Sequence, residues 1–143
     1  MKILFSGGGT GGHFYPIIAV AEALKKITEE EKLVTPKLFF MSIAPYDENL
    51  LLENNLTFIP IQAGKIRRYF SLKNFTDLFK TAAGIIQAVW QLYLIYPDVI
   101  FAKGGYSSFP AVFAARLLRI PLVIHESDSH PGKVNAWAGK FAR

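Results

Sequence analysis

The chain has no cysteine. That removes a disulfide framework and any thiolate metal site. Its three histidines show no H-x-x-x-H spacing, so a zinc site of that kind is excluded and no metal is expected. There is no internal repeat, low-complexity tract or linker. The N-terminus lacks the apolar core of a signal peptide, since Lys2 is followed by a short strand-like run and then by glycines. Acid is in short supply: 11 Asp and Glu stand against 16 Lys and Arg, for a formal charge of +5 and a pI near 9.5. Such an excess points to an anionic partner, whether nucleic acid, anionic lipid or a phosphorylated substrate. The cations form no long stripe and no nucleic-acid motif is present, which argues against nucleic acid. Charge is missing altogether from Thr81 to Pro97. Gly84, Gln87, Gln91 and the limited length argue against a membrane span there. A helix buried against a sheet, or lying partly in a bilayer surface, is expected instead.

What is present is a chain of 143 residues, half of them apolar, enough for one domain with a substantial core. Strand and helix signals alternate. Short apolar runs at Lys2–Ser6, Lys37–Ile43, Thr57–Ile61, Asp98–Ala102 and Pro121–His125 read as strands. Ile17, Val20, Ala21, Leu24 and Ile27 recur at helical spacing, giving a helix over Pro16–Ile27. Further helices are expected over Tyr46–Glu53, Leu72–Ile95 and Phe109–Leu118, with a last one starting near Pro131. Thr28–Thr35 and Gln62–Ser71 read as loops. This alternation implies an α/β fold with a parallel sheet covered by helices on both faces. In such sheets ligands gather beyond the carboxyl ends of the strands. The turns Gly7–His13, Gly104–Ser108 and Glu126–Lys133 all fall on that edge.

Ser6-Gly7-Gly8-Gly9-Thr10-Gly11-Gly12-His13 places five glycines in six positions between the first strand and the first helix. Glycine allows positive φ and close approach to the backbone, and the helix start offers unpaired N–H groups to an anion. Three readings remain open. One is a ligand-free turn. A second is a dinucleotide fingerprint, since Gly7-x-Gly9-x-x-Gly12 fits G-x-G-x-x-G. That reading needs an acid at the end of the second strand, where Ala44-Pro45 stand and Asp47 comes late. The third is an anion loop carrying His13 as a proton-transfer group at its mouth, with Pro16 in the first helical turn.

Gly8-Gly9-Thr10-Gly11-Gly12-His13-x-x-Pro16 resembles the opening of the glycosyltransferase family 28 enzymes of peptidoglycan synthesis. Two further segments match in the same order. Gly104-Gly105-Tyr106 with Pro110 resembles the family's second glycine loop, with Phe109 where a glycine is usual. His125-Glu126-Ser127-Asp128 is similar to its His-Glu-Gln-Asn segment, with Ser127 and Asp128 replacing glutamine and asparagine. The resemblance runs from Lys2 to Arg143 and implies a Rossmann-like fold, the N-terminal half of a GT-B fold. The C-terminal nucleotide-binding domain is then absent.

The resemblance further implies an inverting hexosyltransferase that moves N-acetylglucosamine from UDP-GlcNAc to lipid I, giving lipid II, without a cofactor. His13 would be the base. Thr10, Gly11, Gly12, Gly104, Gly105, Tyr106, Glu126 and Asp128 would bind substrate. Asp128 could equally cap the last helix with Ser129; His125 would anchor its strand end by hydrogen bonding, and His130 would be an exposed loop residue. Lys65–Phe75 mixes cations with large apolar groups, Leu72, Phe75, Leu78 and Phe79 recur at helical spacing, and Arg67, Arg68, Leu72, Phe75 and Phe79 would contact an anionic membrane surface. The same helix packed on the sheet is the alternative. The implied location is peripheral, on the cytoplasmic face of the bacterial inner membrane. Alone the chain would have little activity and would need a C-terminal GT-B domain or chain. A non-catalytic, lipid-acceptor-binding half of a split transferase is the other reading.

Overall fold

Ile3, Leu4 and Phe5 are all buried, on both sides of their strand. A strand that is apolar on both faces must be covered twice. The computed structural model describes residues 1–65 and 72–143, with side chains described for 1–65 and 75–143. It meets that demand with a five-stranded sheet between two layers of helices. The elements run β1 (Lys2–Ser6), α1 (Gly11–Glu30), β2 (Lys37–Ser42), α2 (Glu48–Glu53), β3 (Leu56–Pro60), α3 (Leu72–Ile95), β4 (Val99–Ala102), α4 (Phe109–Leu117), β5 (Leu122–Ile124) and α5 (Lys133–Ala138). A 3-10 turn, Tyr106–Ser108, leads into α4. Each strand lies within one residue of the bounds expected from sequence.

The spatial order is β3-β2-β1-β4-β5 and every pairing is parallel. Ile3 stands in register with Leu38 on one side and Val99 on the other. The succession reverses between β1 and β4, so a crevice opens there beyond the carboxyl ends. Side chains alternate across the sheet. Ile3, Phe5, Leu38 and Phe40 pack with Phe14, Ile17 and Ala21 of α1 and Leu51 of α2. Leu4, Met41, Ile59 and Ile100 pack with Ala88 and Leu92 of α3, Val112 of α4 and Ala138 of α5. Phe5, Phe14 and Phe40 are fully buried, each contributing roughly 2 kcal/mol of burial.

Helix α1 begins at Gly11, five residues before the expected Pro16. Thr10 is extended, with φ −151° and ψ 157°, and its carbonyl accepts the N–H groups of His13 at 3.1 Å and Phe14 at 3.2 Å. Pro16 therefore sits inside the helix and leaves the Gly12 carbonyl without its helical donor. Burial of Phe14, Ile17 and Ile18 offsets that loss. The consequence matters for chemistry: His13 belongs to the first turn of a helix, not to a loop.

Helix α3 has the expected bounds but packs on one face. A Cβ on Gly84 would fall 1.6 Å from the Gln62 carbonyl oxygen, so only glycine admits that loop. Gln87 Oε1 accepts the Gln62 N–H at 2.9 Å, and Thr81 Oγ1 accepts the Gly64 N–H at 3.1 Å. The polar breaks in the apolar run thus hold the loop after β3. The opposite face is not buried against the sheet: Phe75, Phe79, Ile86, Trp90, Tyr93 and Leu94 are exposed. By length and composition alone, Phe75–Ile95 is long and apolar enough to cross a membrane.

Candidate active site

Three loops meet at the crevice between β1 and β4. The first follows β1, where Gly8 (φ 133°) and Gly9 (φ 83°) hold a backbone that other residues rarely adopt. The second follows β4, with Gly104 (φ 95°) and Gly105 (φ 83°). Ser107 Oγ donates to the Gly8 carbonyl at 3.1 Å and ties the two together. The third follows β5 and is organised by Glu126. One of its oxygens accepts the N–H groups of Ser127 at 3.0 Å and Asp128 at 3.1 Å; the other accepts Gly132 N–H at 3.1 Å and Asn135 Nδ2 at 3.0 Å. The backbone N–H of Asp128 is the largest cause that draws its carboxyl down to about 2, helped by Asn135, Gly132 and Ser127 and opposed by burial.

His13 stands where the loops converge. Its Nδ1 shares a 2.8 Å hydrogen bond with Thr10 Oγ1. Its Nε2 lies 3.2 Å from the point a Cβ on Gly105 would occupy. Burial lowers its pKa below the usual value, Lys103 lowers it further, and the carboxylates of Asp128 and Glu126 pull the other way. The ring is therefore neutral near pH 7. Gly12 is exposed, and a Cβ there would meet nothing closer than Thr10 Oγ1 at 4.0 Å. Gly11 is crowded by Tyr15 and the Tyr46 hydroxyl. Gly104 packs on Asn135, and Tyr106 lies over Gly9 with Lys65 Nζ 5.9 Å from its ring centre. A cleft of about 300 Å³ opens beside Gly105 and Tyr106, walled by Gly64, Phe109, Lys133 and Trp137.

Several expected roles fall elsewhere. The four donors on the Glu126 carboxylate make it the clasp of its own loop. Asp128 does not cap α5, whose N-cap is Gly132 with no side-chain bond; its exposed carboxylate faces His13 electrostatically instead. His125 anchors its strand through the main chain: its N–H donates to the Ala102 carbonyl at 2.9 Å, while its ring stacks on Phe101 and Nδ1 has no partner. His130 is exposed, as expected. Asp47 takes a structural role: its Oδ1 caps α2 by accepting the Leu50 N–H at 3.1 Å. Among the described residues no cluster suits a metal ion. Arg67 and Arg68 lie outside the described residues, as does the side chain of Leu72. Phe75 and Phe79 are exposed and pack edge to face at 5.0 Å. Lys103, Ser127 and Asn135 were not expected as site residues. Lys103 and Asn135 had only position as a signal, immediately after β4 and at the start of α5, while Ser127 stood where the resembling segment has glutamine.

The sequence profile described as the glycosyltransferase family 28 N-terminal domain matches residues 3–143. The chain belongs to that family. The UDP-N-acetylglucosamine--N-acetylmuramyl-(pentapeptide) pyrophosphoryl-undecaprenol N-acetylglucosamine transferase of Clostridium botulinum strain Hall is 41% identical over 140 residues, 98% of this chain and 38% of that protein. The enzyme of the same name from Borreliella burgdorferi is 42% identical over 141 residues, again 98% and 38%. The crystal structure of Acinetobacter baumannii MurG superposes with a TM-score of 0.79 at 26% identity, over 99% of this chain and 40% of that one. SsfS6, a Streptomyces glycosyltransferase, shares the fold at a TM-score of 0.63 and 15% identity, over 97% and 43%. This family 28 chain thus has the Rossmann-like fold of a GT-B N-terminal domain and spans about two fifths of the relatives it matches.

Proposed function

We propose that this chain is the acceptor-side, N-terminal domain of a family 28 transferase that moves N-acetylglucosamine from UDP-GlcNAc to lipid I, forming lipid II. The observation that carries the reading is the seat of His13. Nδ1 is engaged by Thr10 and Nε2 faces the junction of the two glycine loops. When Thr10 Oγ1 accepts from Nδ1–H, Nε2 keeps its lone pair and is the basic nitrogen. The C4 hydroxyl of the acceptor sugar attacks the anomeric carbon of the donor. Nε2 takes the hydroxyl proton, and UDP departs with the bonding electron pair, inverting the configuration. Gly12 and the start of α1 present N–H groups to a diphosphate. Gly105, Tyr106 and the cleft beside them seat the acceptor sugar, with Asp128 at the rim; Thr10, Gly11 and Gly104 shape this floor. No metal or other cofactor enters the reaction, because fixed N–H dipoles stabilise the leaving diphosphate.

Residues 1–143 form one domain in this reading, and the uridine contacts come from a C-terminal GT-B domain or chain. The exposed Phe75 and Phe79 support peripheral attachment to a membrane surface, in this reading the cytoplasmic face of the bacterial inner membrane. The test is reconstitution. This chain is mixed with a family 28 C-terminal half, UDP-GlcNAc and a lipid I analogue. Turnover is expected only in the mixture, and His13→Ala is expected to cut kcat about a hundredfold or more with little change in acceptor KM. Unchanged kcat removes His13 as the base. Saturable lipid binding without turnover in any mixture would favour a non-catalytic docking module, a reading supported by the apolar outer face of α3.

A further inference from the structure

Lys103 is the residue the mechanism above leaves unused. It follows β4 directly, and its N–H donates to the Ser6 carbonyl at 2.9 Å. Its Cβ lies 3.1 Å from where a Cβ on Gly7 would stand, so the side chain starts under the first glycine loop. It then crosses to the third loop, where Nζ donates to Ser127 Oγ at 2.8 Å. The residue is 3% exposed. Among the described residues it makes no salt bridge. The acid next to its partner, Glu126, already holds four donors.

A buried ammonium with one hydroxyl partner is costly to fold around, and an apolar side chain of similar length would pack there without the charge. An ammonium carries three donors, and Ser127 takes one. Ser127 belongs to the loop after β5 and His13 feels the Lys103 charge, so the ammonium sits beside the crevice between β1 and β4, where the start of α1 already favours negative charge. We infer that Lys103, held by Ser127, is the fixed cation that binds a diphosphate ester in this crevice. Glu126 contributes at one remove, since its carboxylate holds the Ser127 N–H and so sets where the Lys103 partner stands. The inference deepens the transferase reading and rests on it only for which diphosphate is bound, that of the prenyl-linked acceptor or that of the nucleotide donor.

The experiment uses the present chain and three probes: inorganic diphosphate, geranyl diphosphate and UDP, each titrated by calorimetry at two salt concentrations. Wild type is expected to bind inorganic diphosphate saturably, more weakly at high salt. Lys103→Met is expected to weaken that binding at least about tenfold while the melting temperature holds or rises, because a buried charge has gone. Ser127→Ala is expected to give a smaller loss. Loss for geranyl diphosphate but not UDP assigns the acceptor diphosphate, and the converse assigns the donor. Equal binding by Lys103→Met and wild type overturns the inference. So does an absence of binding in wild type, or a loss that appears only with a fall in melting temperature. Turnover in the reconstituted mixture is a separate measurement, so the transferase reading can fail while Lys103-dependent diphosphate binding stands.

Discussion

The imidazole of His13 and the bare α-carbon of Gly105 face one another across the junction of two loops: a methyl group on that carbon would stand 3.2 Å from Nε2. Gly105 also has φ 83°, where L side chains are strained. Gly105→Ala is therefore expected to lower stability by about 1–2 kcal/mol and to displace the ring from its seat. In the reconstituted enzyme kcat should fall more than acceptor KM rises.

A second prediction concerns pH. Burial first and Lys103 second depress the His13 pKa, against the opposing pull of Asp128 and Glu126. A base works when unprotonated, so the acid limb of the turnover profile should lie below the ordinary value of 6.5. Lys103→Met removes the second cause and should move that limb upward. The same depression makes the folded state bind its proton less readily than the unfolded one. Its contribution to stability is present above 6.5 and is lost as pH falls through the lower, folded-state value. A wild-type limb above 6.5, in kcat/KM measured across pH, would contradict both statements.

The clasp at Glu126 gives a third. Its carboxyl titrates at about 2 in the folded chain against 4.5 for a free glutamate. The stabilisation it provides is complete above 4.5 and is lost as pH falls toward 2. Amide proton shifts of Asp128 and Gly132, which both donate to this carboxylate, should titrate together near pH 2 when followed by NMR. Midpoints near 4.5 would mean that the carboxylate is free. Glu126→Ala should scatter those two resonances and leave the sheet resonances in place.

The sheet was legible because each strand announces itself: Ile3-Leu4-Phe5 and Val99-Ile100-Phe101 are short apolar runs between turns, and burial on both faces follows from that composition. The meeting of the glycine loops was legible too, since parallel strands deliver their following loops to one edge. The start of α1 was not. Pro16 was the local helix-start signal, and only burial of Phe14 against Phe40 and Tyr46 extends the helix back to Gly11. Glu126 was expected to bind substrate from the resemblance alone; Gly132 and Asn135 lie six and nine residues on, and only the fold brings their N–H groups to it. Lys103 drew no reading from the sequence for a similar reason: its burial comes from the first and third loops closing over it.

The exposed side of α3 separates a docking surface from a packing face. Thr81, Ala88 and Leu92 are buried, and the polar residues of the run hold the loop after β3, so the helix already has its partner within the domain. A transbilayer path would strip Gln62 and Gly64 of the groups that satisfy their N–H donors, at a cost water no longer offsets. Shallow insertion of Phe75 and Phe79 costs none of these bonds, because both rings already point away from the protein. Phe75→Ser with Phe79→Ser should therefore weaken binding to anionic phospholipid vesicles at least about tenfold without lowering the melting temperature. Sedimentation with vesicles of rising anionic content checks this. Undiminished binding of the double variant would move the contact elsewhere on the surface, and a melting temperature that fell with it would return both rings to the core.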